Sequence, residues 1–356
     1  MSSELDLLKQ TIKAEAINLG FCVIGFSSPT NMDIDKYQEW IDSGQNSGMK
    51  YLANPKTLYA HQNPSHIFSA CKSIISLGAL FPNPAKRAEE PLPNDHSGII
   101  SSYAYGEDYH QVLSQKIQKL MIIISEKTTR KIQWISAIDA TPLAERELAI
   151  QAGLGWIAKN SMFTNPEFGS AMFLCEILVD IPFLPDKQSL QDYCGKCTKC
   201  IDACPTNCIN ANRTIDANRC LSYLTIEHRG LISEDFFQAI DNRIFGCDIC
   251  LAVCPWNANA KLEPRMEEFF PDKKPQIFDI KKNLPKLLDS FHRYFAHRAI
   301  RRAGKLGFLR NCMIRLANSN TDQSRSLMHQ ISVSMPETYL EEQLFLLEKY
   351  LKQKGS

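Results

Sequence analysis

Eight cysteines in two runs constrain this chain more than any other feature. Cys194-Gly-Lys-Cys197-Thr-Lys-Cys200-Ile-Asp-Ala-Cys204-Pro205 has the spacing C-x2-C-x2-C-x3-C-P. Cys247-Asp-Ile-Cys250-Leu-Ala-Val-Cys254-Pro255 is the same run without its first cysteine, which Cys220 upstream can supply. Short gaps wrap the backbone around one corner of a cubane, so that its amides reach the sulfurs. The proline after the last cysteine turns the chain away. In a two-cluster arrangement the fourth cysteine of each run crosses to the other cluster. Cys194, Cys197, Cys200 and Cys254 then hold one [4Fe–4S] cluster; Cys204, Cys220, Cys247 and Cys250 hold the second. Zinc also takes four thiolates, but its usual spacing is two C-x2-C pairs far apart. Disulfides are the other alternative, and a cytosolic setting keeps such thiols reduced.

Of the remaining cysteines, Cys22, Cys71 and Cys175 sit in or beside apolar stretches and read as core residues. Cys208 follows the first Cys-Pro turn but is out of register with both runs. The chain has 356 residues, room for two or three domains, with 44% hydrophobic and 22% charged residues. A formal charge of +1 makes the whole molecule no polyanion binder. The start, MSSELDLLKQ, lacks the basic end and apolar run of a signal peptide. No apolar run approaches the roughly 18 residues of a membrane span. The expectation is a cytoplasmic monomer that does not enter the membrane.

Along the chain, helix and strand patterns come in mixed order, which favours an α+β layered fold. Helices are expected at residues 3–19, 35–43, 108–127 and 142–152, the last with Pro142 in its first turn. Strands are expected at 21–26, 73–80, 99–105, 131–138 and 171–179, and a proline-rich surface loop at 82–96. Neither a G-x-G-x-x-G after a strand nor a G-x-x-x-x-G-K-[ST] is present. The boundaries that follow are 1–185 for an N-terminal domain, 186–262 for a ferredoxin-like domain and 263–356 for a helical segment. Between Cys220 and Cys247 lies an insertion that a simple electron carrier does not need. Lys281 to Arg315 holds ten Lys/Arg (Lys281, Lys282, Lys286, Arg293, Arg298, Arg301, Arg302, Lys305, Arg310, Arg315) against one acid, Asp289. So one-sided an excess favours a phosphate backbone over a solvated face.

Several stretches together carry a resemblance. They are Tyr103-Ala-Tyr-Gly-Glu-Asp-Tyr-His110, Asp139-Ala-Thr-Pro-Leu-Ala-Glu-Arg146 and Ala152-Gly-Leu-Gly-Trp-Ile-Ala-Lys-Asn160. Further matches are Asn165-Pro-Glu-Phe-Gly-Ser170, Cys220-Leu-Ser-Tyr-Leu-Thr-Ile-Glu227, Phe245-Gly-Cys-Asp-Ile-Cys250, Cys254-Pro-Trp-Asn257 and Gly307-Phe-Leu-Arg-Asn311. Up to about residue 318 the chain resembles the epoxyqueuosine reductases, cobalamin-dependent iron–sulfur enzymes of queuosine biosynthesis. The resemblance implies a base-off cobalamin between the N-terminal domain and the clusters. It implies electrons passing through the clusters to cobalt, and loss of the epoxide oxygen from epoxyqueuosine at the tRNA wobble position. It also implies a fold similar to the reductive dehalogenases, a HEAT-like helical C-terminus and Asp139 as proton donor. His61, Ala158 and Leu251 depart from the family's usual arginine, glycine and glutamine.

Removing an epoxide oxygen takes two electrons and protons, and a corrin cobalt can accept electrons that clusters pass singly. No Asp-x-His-x-x-Gly supplies a lower-face histidine ligand. His61, Asp139, Lys159, Asn160, Ser222, Cys247 and Asp248 are the expected cobalamin neighbours. Lys159 and Asn160 fit a solvated turn equally well. Tyr103 and His110 are weaker candidates, since such residues are as often packing or surface groups. Arg298, Arg301, Arg302, Lys305 and Arg310 are the expected tRNA contacts. A flavodoxin- or ferredoxin-type protein is the expected electron donor. Asp139 follows a strand and precedes a helix, so it is either a helix cap or an acid whose pKa burial has raised. A reductive dehalogenase-like enzyme of a small molecule is the alternative, and the basic 281–315 stretch argues against it. Some 190 residues ahead of the clusters argue against a plain two-cluster carrier.

Overall fold

The computed structural model describes residues 2–86, 92–188, 191–271, 277–335 and 338–354. Residues 87–91 of the expected 82–96 loop lie outside them. A four-stranded antiparallel sheet runs in the order Val23–Ser27, Ser73–Leu80, Met172–Val179, Trp134–Ala137. Its two central strands are mostly apolar, interrupted by Ser73, Ser76 and Glu176, because both faces are covered. Ile75, Leu77, Cys175 and Ile177 meet Ile12, Ala16, Ile117, Leu120 and Ile124 from the helices Ser2–Asn18 and Tyr109–Glu126. Ile74 and Leu178 on the other face meet Leu143 and Leu148, from the segment leading into the helix Glu145–Gln151. Cys22, Cys71 and Cys175 are buried here, and burial raises all three thiols.

A second core surrounds the helix Gly304–Ser319. Phe308, Leu309, Cys312 and Leu316 pack with Leu224, Phe237, Ile240 and Ile244 of the insertion between Cys220 and Cys247. They also pack with Leu327, Ile331, Leu340 and Leu347 of the last two helices, Asp322–Ser334 and Thr338–Lys354. The insertion therefore shares its core with the C-terminal helices. A three-stranded sheet in the order Arg243–Phe245, Ser97–Ile100, Ile277–Asp279 joins strands from widely separated parts of the chain. Among the described residues no helix is long and apolar enough to cross a membrane.

Three expectations need correction. The strand expected at 99–105 ends at Ile100 and continues as the tight turn Ser102–Ala104, because Ser101 Oγ and Ser102 N–H both donate to the carboxylate of Asp248. The helix expected from Pro142 starts at Glu145, since Leu143 is drawn into the core. The basic stretch is not one exposed face. Arg310 is fully buried, its guanidinium donating to Leu224 O, His228 O and Gly230 O and to the Tyr339 hydroxyl. Asn311 beside it donates to Thr225 O and Ile244 O. Carbonyls at the end of the helix Leu221–Ile226 lack helical partners, and this pair of side chains supplies them. Arg315 is buried too, donating to Ser97 O.

Arg310→Leu strands several buried carbonyls at once. Each broken bond to a charged donor costs roughly 1.5–3 kcal/mol, so a destabilisation of about 3 kcal/mol or more is expected in urea titration. Arg301→Leu, at an exposed position, should lie within about 0.5 kcal/mol of the parent.

Candidate active site

The two cysteine runs meet as short helical turns, Lys199–Asp202 and Ile249–Ala252, each ending in a Cys-Pro step. Cys254 sits with the first run. Apart from burial, the groups that raise its thiol are Cys194 and Cys197, and those that raise Cys200 are Cys254 and Cys194. Cys250 is raised by burial and then by Cys247 and Cys220. Cys204 and Cys220 are bridged by the buried Cys208, whose sulfur lies 3.4 Å from that of Cys204. Cys254 thus lies among the thiols of the first run, and Cys250 stands near Cys247 and Cys220 and also near Cys200.

Lys159 and Asn160 bind these runs. Lys159 Nζ donates to Gly195 O at 2.8 Å and Cys197 O at 2.9 Å. Asn160, almost fully buried, donates to Cys250 O and accepts from Met162 N–H. In the glycine turn before them, Gly155 packs against the strand Phe163–Thr164, with Thr164 O where a Cβ would stand. Trp156 Nε1 donates to Cys194 Sγ at 3.4 Å. Asp248 holds Ser101 and Ser102, and Ser222 lies half-buried on the helix after Cys220. His61 packs on Tyr37, ring centroids 4.7 Å apart, and burial lowers its pKa.

Asp139 lies on the loop between the strand Trp134–Ala137 and the helix Glu145–Gln151, in the left-handed region at φ 49°. It caps nothing. Its own N–H donates to Glu145 Oε1 at 2.7 Å, and its carboxylate turns toward the start of the helix Tyr109–Glu126. Asp139 Oδ2 accepts from the Tyr109 hydroxyl at 2.7 Å and lies 3.3 Å from His110 Nε2. His110 Nδ1 is 2.8 Å from Asp108 Oδ1. The result is a carboxylate–imidazole–carboxylate chain.

The electrostatics of this chain overturn the expectation of a raised Asp139. The His110 hydrogen bond holds the Asp139 carboxyl below its ordinary range, outweighing burial, and Tyr109 adds to it. Asp108 and then Asp139 raise the His110 imidazole to about 9. Burial and the Asp139 charge keep Tyr109 a neutral phenol. Behind the loop, Glu145 is raised by burial and by Asp139. Glu176, fully buried on the central strand opposite Ser76, is raised by burial and by Glu145. Tyr109, Asp108 and Glu145 were missed as site residues, although all three stand inside the two motifs that contain His110 and Asp139.

Around this centre stand Tyr51, Tyr103 and Glu227, with Arg302 in electrostatic contact with Asp139. Arg302 forms a two-bond pair with Glu227, with Nη2 to Oε2 at 2.9 Å, and lies over the Tyr51 ring. Arg298 donates to Tyr105 O and Gly106 O, and Lys305 to Leu288 O. Lys281, Lys282, Lys286, Arg293 and Arg301 remain exposed.

Residues 193–257 match the model of a 4Fe-4S double cluster binding domain, and residues 62–140 match the model described as "Epoxyqueuosine reductase QueG, DUF1730". The epoxyqueuosine reductase of Cyclobacterium marinum is 35% identical over 314 residues, covering 87% of this chain and 97% of that protein. That of Escherichia coli (strain K12) is 37% identical, covering 91% and 85%. A solved epoxyqueuosine reductase with an epoxyqueuosine-modified tRNA-Tyr stem loop superposes with a TM-score of 0.86 at 28% identity, covering 98% of this chain and 91% of that one. Likeness to a solved reductive dehalogenase is weak, with a TM-score of 0.41.

Cys254→Ala should abolish the electron spin resonance signal of the cluster held by Cys194, Cys197 and Cys200. Loss of only the other cluster's signal would overturn the crossed ligand sets.

Proposed function

Because the chain belongs to the epoxyqueuosine reductase family, we propose that it removes the epoxide oxygen of epoxyqueuosine in tRNA, giving queuosine. The observation that carries this reading is the Asp108–His110–Asp139 chain, whose Asp139 acts on Tyr103 together with Asp248 of the second cysteine run. The crossed sets, Cys194/Cys197/Cys200/Cys254 and Cys204/Cys220/Cys247/Cys250, are read as ligands of the two [4Fe–4S] clusters. Cobalamin fits the donor chemistry present, because its neutral amide side chains suit the hydroxyls and rings of Tyr51, His61 and Ser222. When bound it would supply a low-potential centre for delivering two electrons to the ring. Lys159, Asn160, Cys247 and Asp248 serve that site by shaping the cluster runs and the Ser101–Ser102 turn.

The chain's own part is positional and protonic. Glu145 holds the Asp139 backbone, Tyr109 and His110 aim its carboxylate, and Asp139 passes a proton to the oxygen as the carbon–oxygen bond breaks. Supporting the tRNA reading is the exposed remainder of the basic stretch, Lys281, Lys282, Lys286, Arg293 and Arg301. Arg298, Arg302 and Lys305 shape that surface through their carbonyl and carboxylate partners. We read the helices after Gly304 as a HEAT-like stack supporting it, within a division near residues 185 and 262. The reductant is taken to be a flavodoxin- or ferredoxin-type protein, and the enzyme to work as a cytoplasmic monomer.

Anaerobically reconstituted protein should convert epoxyqueuosine-containing tRNA, read by nucleoside mass spectrometry. Asp139→Asn should keep clusters and cobalamin while turnover falls about 100-fold or more; near-normal turnover would remove the donor role. Neutralising Lys282, Arg293 and Arg301 together should weaken tRNA binding and flatten its salt dependence. The slope changes by about 0.9 for each duplex phosphate that is no longer neutralised. An unchanged slope would mark a plain solvated face.

A further inference from the structure

An oxygen that enters as an epoxide leaves as water, so each turnover takes two protons besides two electrons. Asp139 in its resting form is a carboxylate and holds neither. His110 is placed to supply them. Its Nε2 faces Asp139 Oδ2 at 3.3 Å, and its Nδ1 is held by Asp108 Oδ1 at 2.8 Å. The ring stacks on Tyr109, centroids 4.1 Å apart, an arrangement that favours a cation. The side chain is 40% exposed, so the ring reaches water while it touches Asp139.

We propose that His110 is the proton store of the site, passing protons from solvent to Asp139, and that Asp108 is the residue that positions its ring. The proposal rests on the reading of the chain as an epoxide reductase. As the first carbon–oxygen bond breaks, the Nε2 proton reaches the oxygen through Asp139, leaving a hydroxyl, and solvent reloads the ring. The second proton follows the same route as the second carbon–oxygen bond breaks, and the hydroxyl departs as water. Two electrons from the protein reductant complete the new carbon–carbon double bond. The charged and titratable groups facing His110 are Asp108 and Tyr109 at the start of its own helix, Asp139 on the neighbouring loop and Glu145 at the start of the helix after it. Arg301 and Arg302 act on Asp108 and Asp139 from the C-terminal segment.

The sign of the pH dependence follows from the raised imidazole. The stored proton is present below the ring's pKa and departs as pH rises through about 9. Wild-type holoenzyme should lose kcat across that range. His110→Gln should show kcat lower by at least about 10-fold with that limb gone and KM for tRNA unchanged. Asp108→Asn, which retains a good helix cap, should move the limb to lower pH. Carbethoxylation of His110, followed by peptide mass spectrometry, reads the free ring without turnover. Its rate should rise near pH 9 in the wild type and at lower pH in Asp108→Asn. A His110→Gln enzyme with the parent kcat and pH limb would overturn the proposal, as would a His110 ring that reacts as a neutral imidazole at pH 7. Should His110→Gln lose its clusters, the Asp108→Asn shift decides. Wild-type protein that leaves epoxyqueuosine tRNA unchanged sinks the epoxide-reductase reading instead, and the carbethoxylation profile still reports whether His110 stores a proton.

Discussion

The buried fork of Arg310 and Asn311 ties the molecule together. Between them these side chains satisfy carbonyls of Leu224, Thr225, His228, Gly230 and Ile244. All five carbonyls belong to the insertion that separates Cys220 from Cys247. Holding these carbonyls clamps the long segment between the two cysteines in place. The fork does so from a helix buried on all sides, where an unpaired carbonyl is costly. The same helix packs the last two helices against the insertion. The segment between Cys220 and Cys247 and the C-terminal helices thus depend on one set of hydrogen bonds.

The site around Asp139 shows how partners can outweigh burial. An isolated carboxyl in a desolvated pocket is pushed up, as Glu145 and Glu176 are. Asp139 is pushed the other way because a histidine braced by a second carboxylate stands against it. Two buried carboxyls held above their ordinary range lie behind one held below it, and the imidazole between Asp108 and Asp139 is raised. The backbone contributes as well, since Asp139 adopts φ 49°, a conformation aspartate tolerates better than most residues.

Much of this is legible in order along the chain. Apolar runs mark the strands at 73–80 and 171–179, and the Cys-Pro spacing marks both cysteine runs. The Tyr103–His110 and Asp139–Arg146 motifs hold residues that the fold brings together, though nothing in their spacing shows that His110 pulls the Asp139 carboxyl down. Sequence reasoning fails where a side chain answers to a distant partner. Ser101 and Ser102 leave the strand for Asp248, Leu143 leaves the helix for the core, and Arg310 leaves the surface for the carbonyls of Leu224, His228 and Gly230.

By itself the sequence determined the cofactor chemistry, because thiolate spacing within a few residues is a local property of the chain. It also marked the strands at 73–80 and 171–179, because a mostly apolar run is legible without the partners that cover it. Only the tertiary structure decided which basic residues face water, since helix periodicity cannot distinguish a solvated arginine from one filling a core with its charge fully hydrogen-bonded. Only the tertiary structure decided where the proton rests, because a pKa is set by charges and donors converging from segments some thirty residues apart.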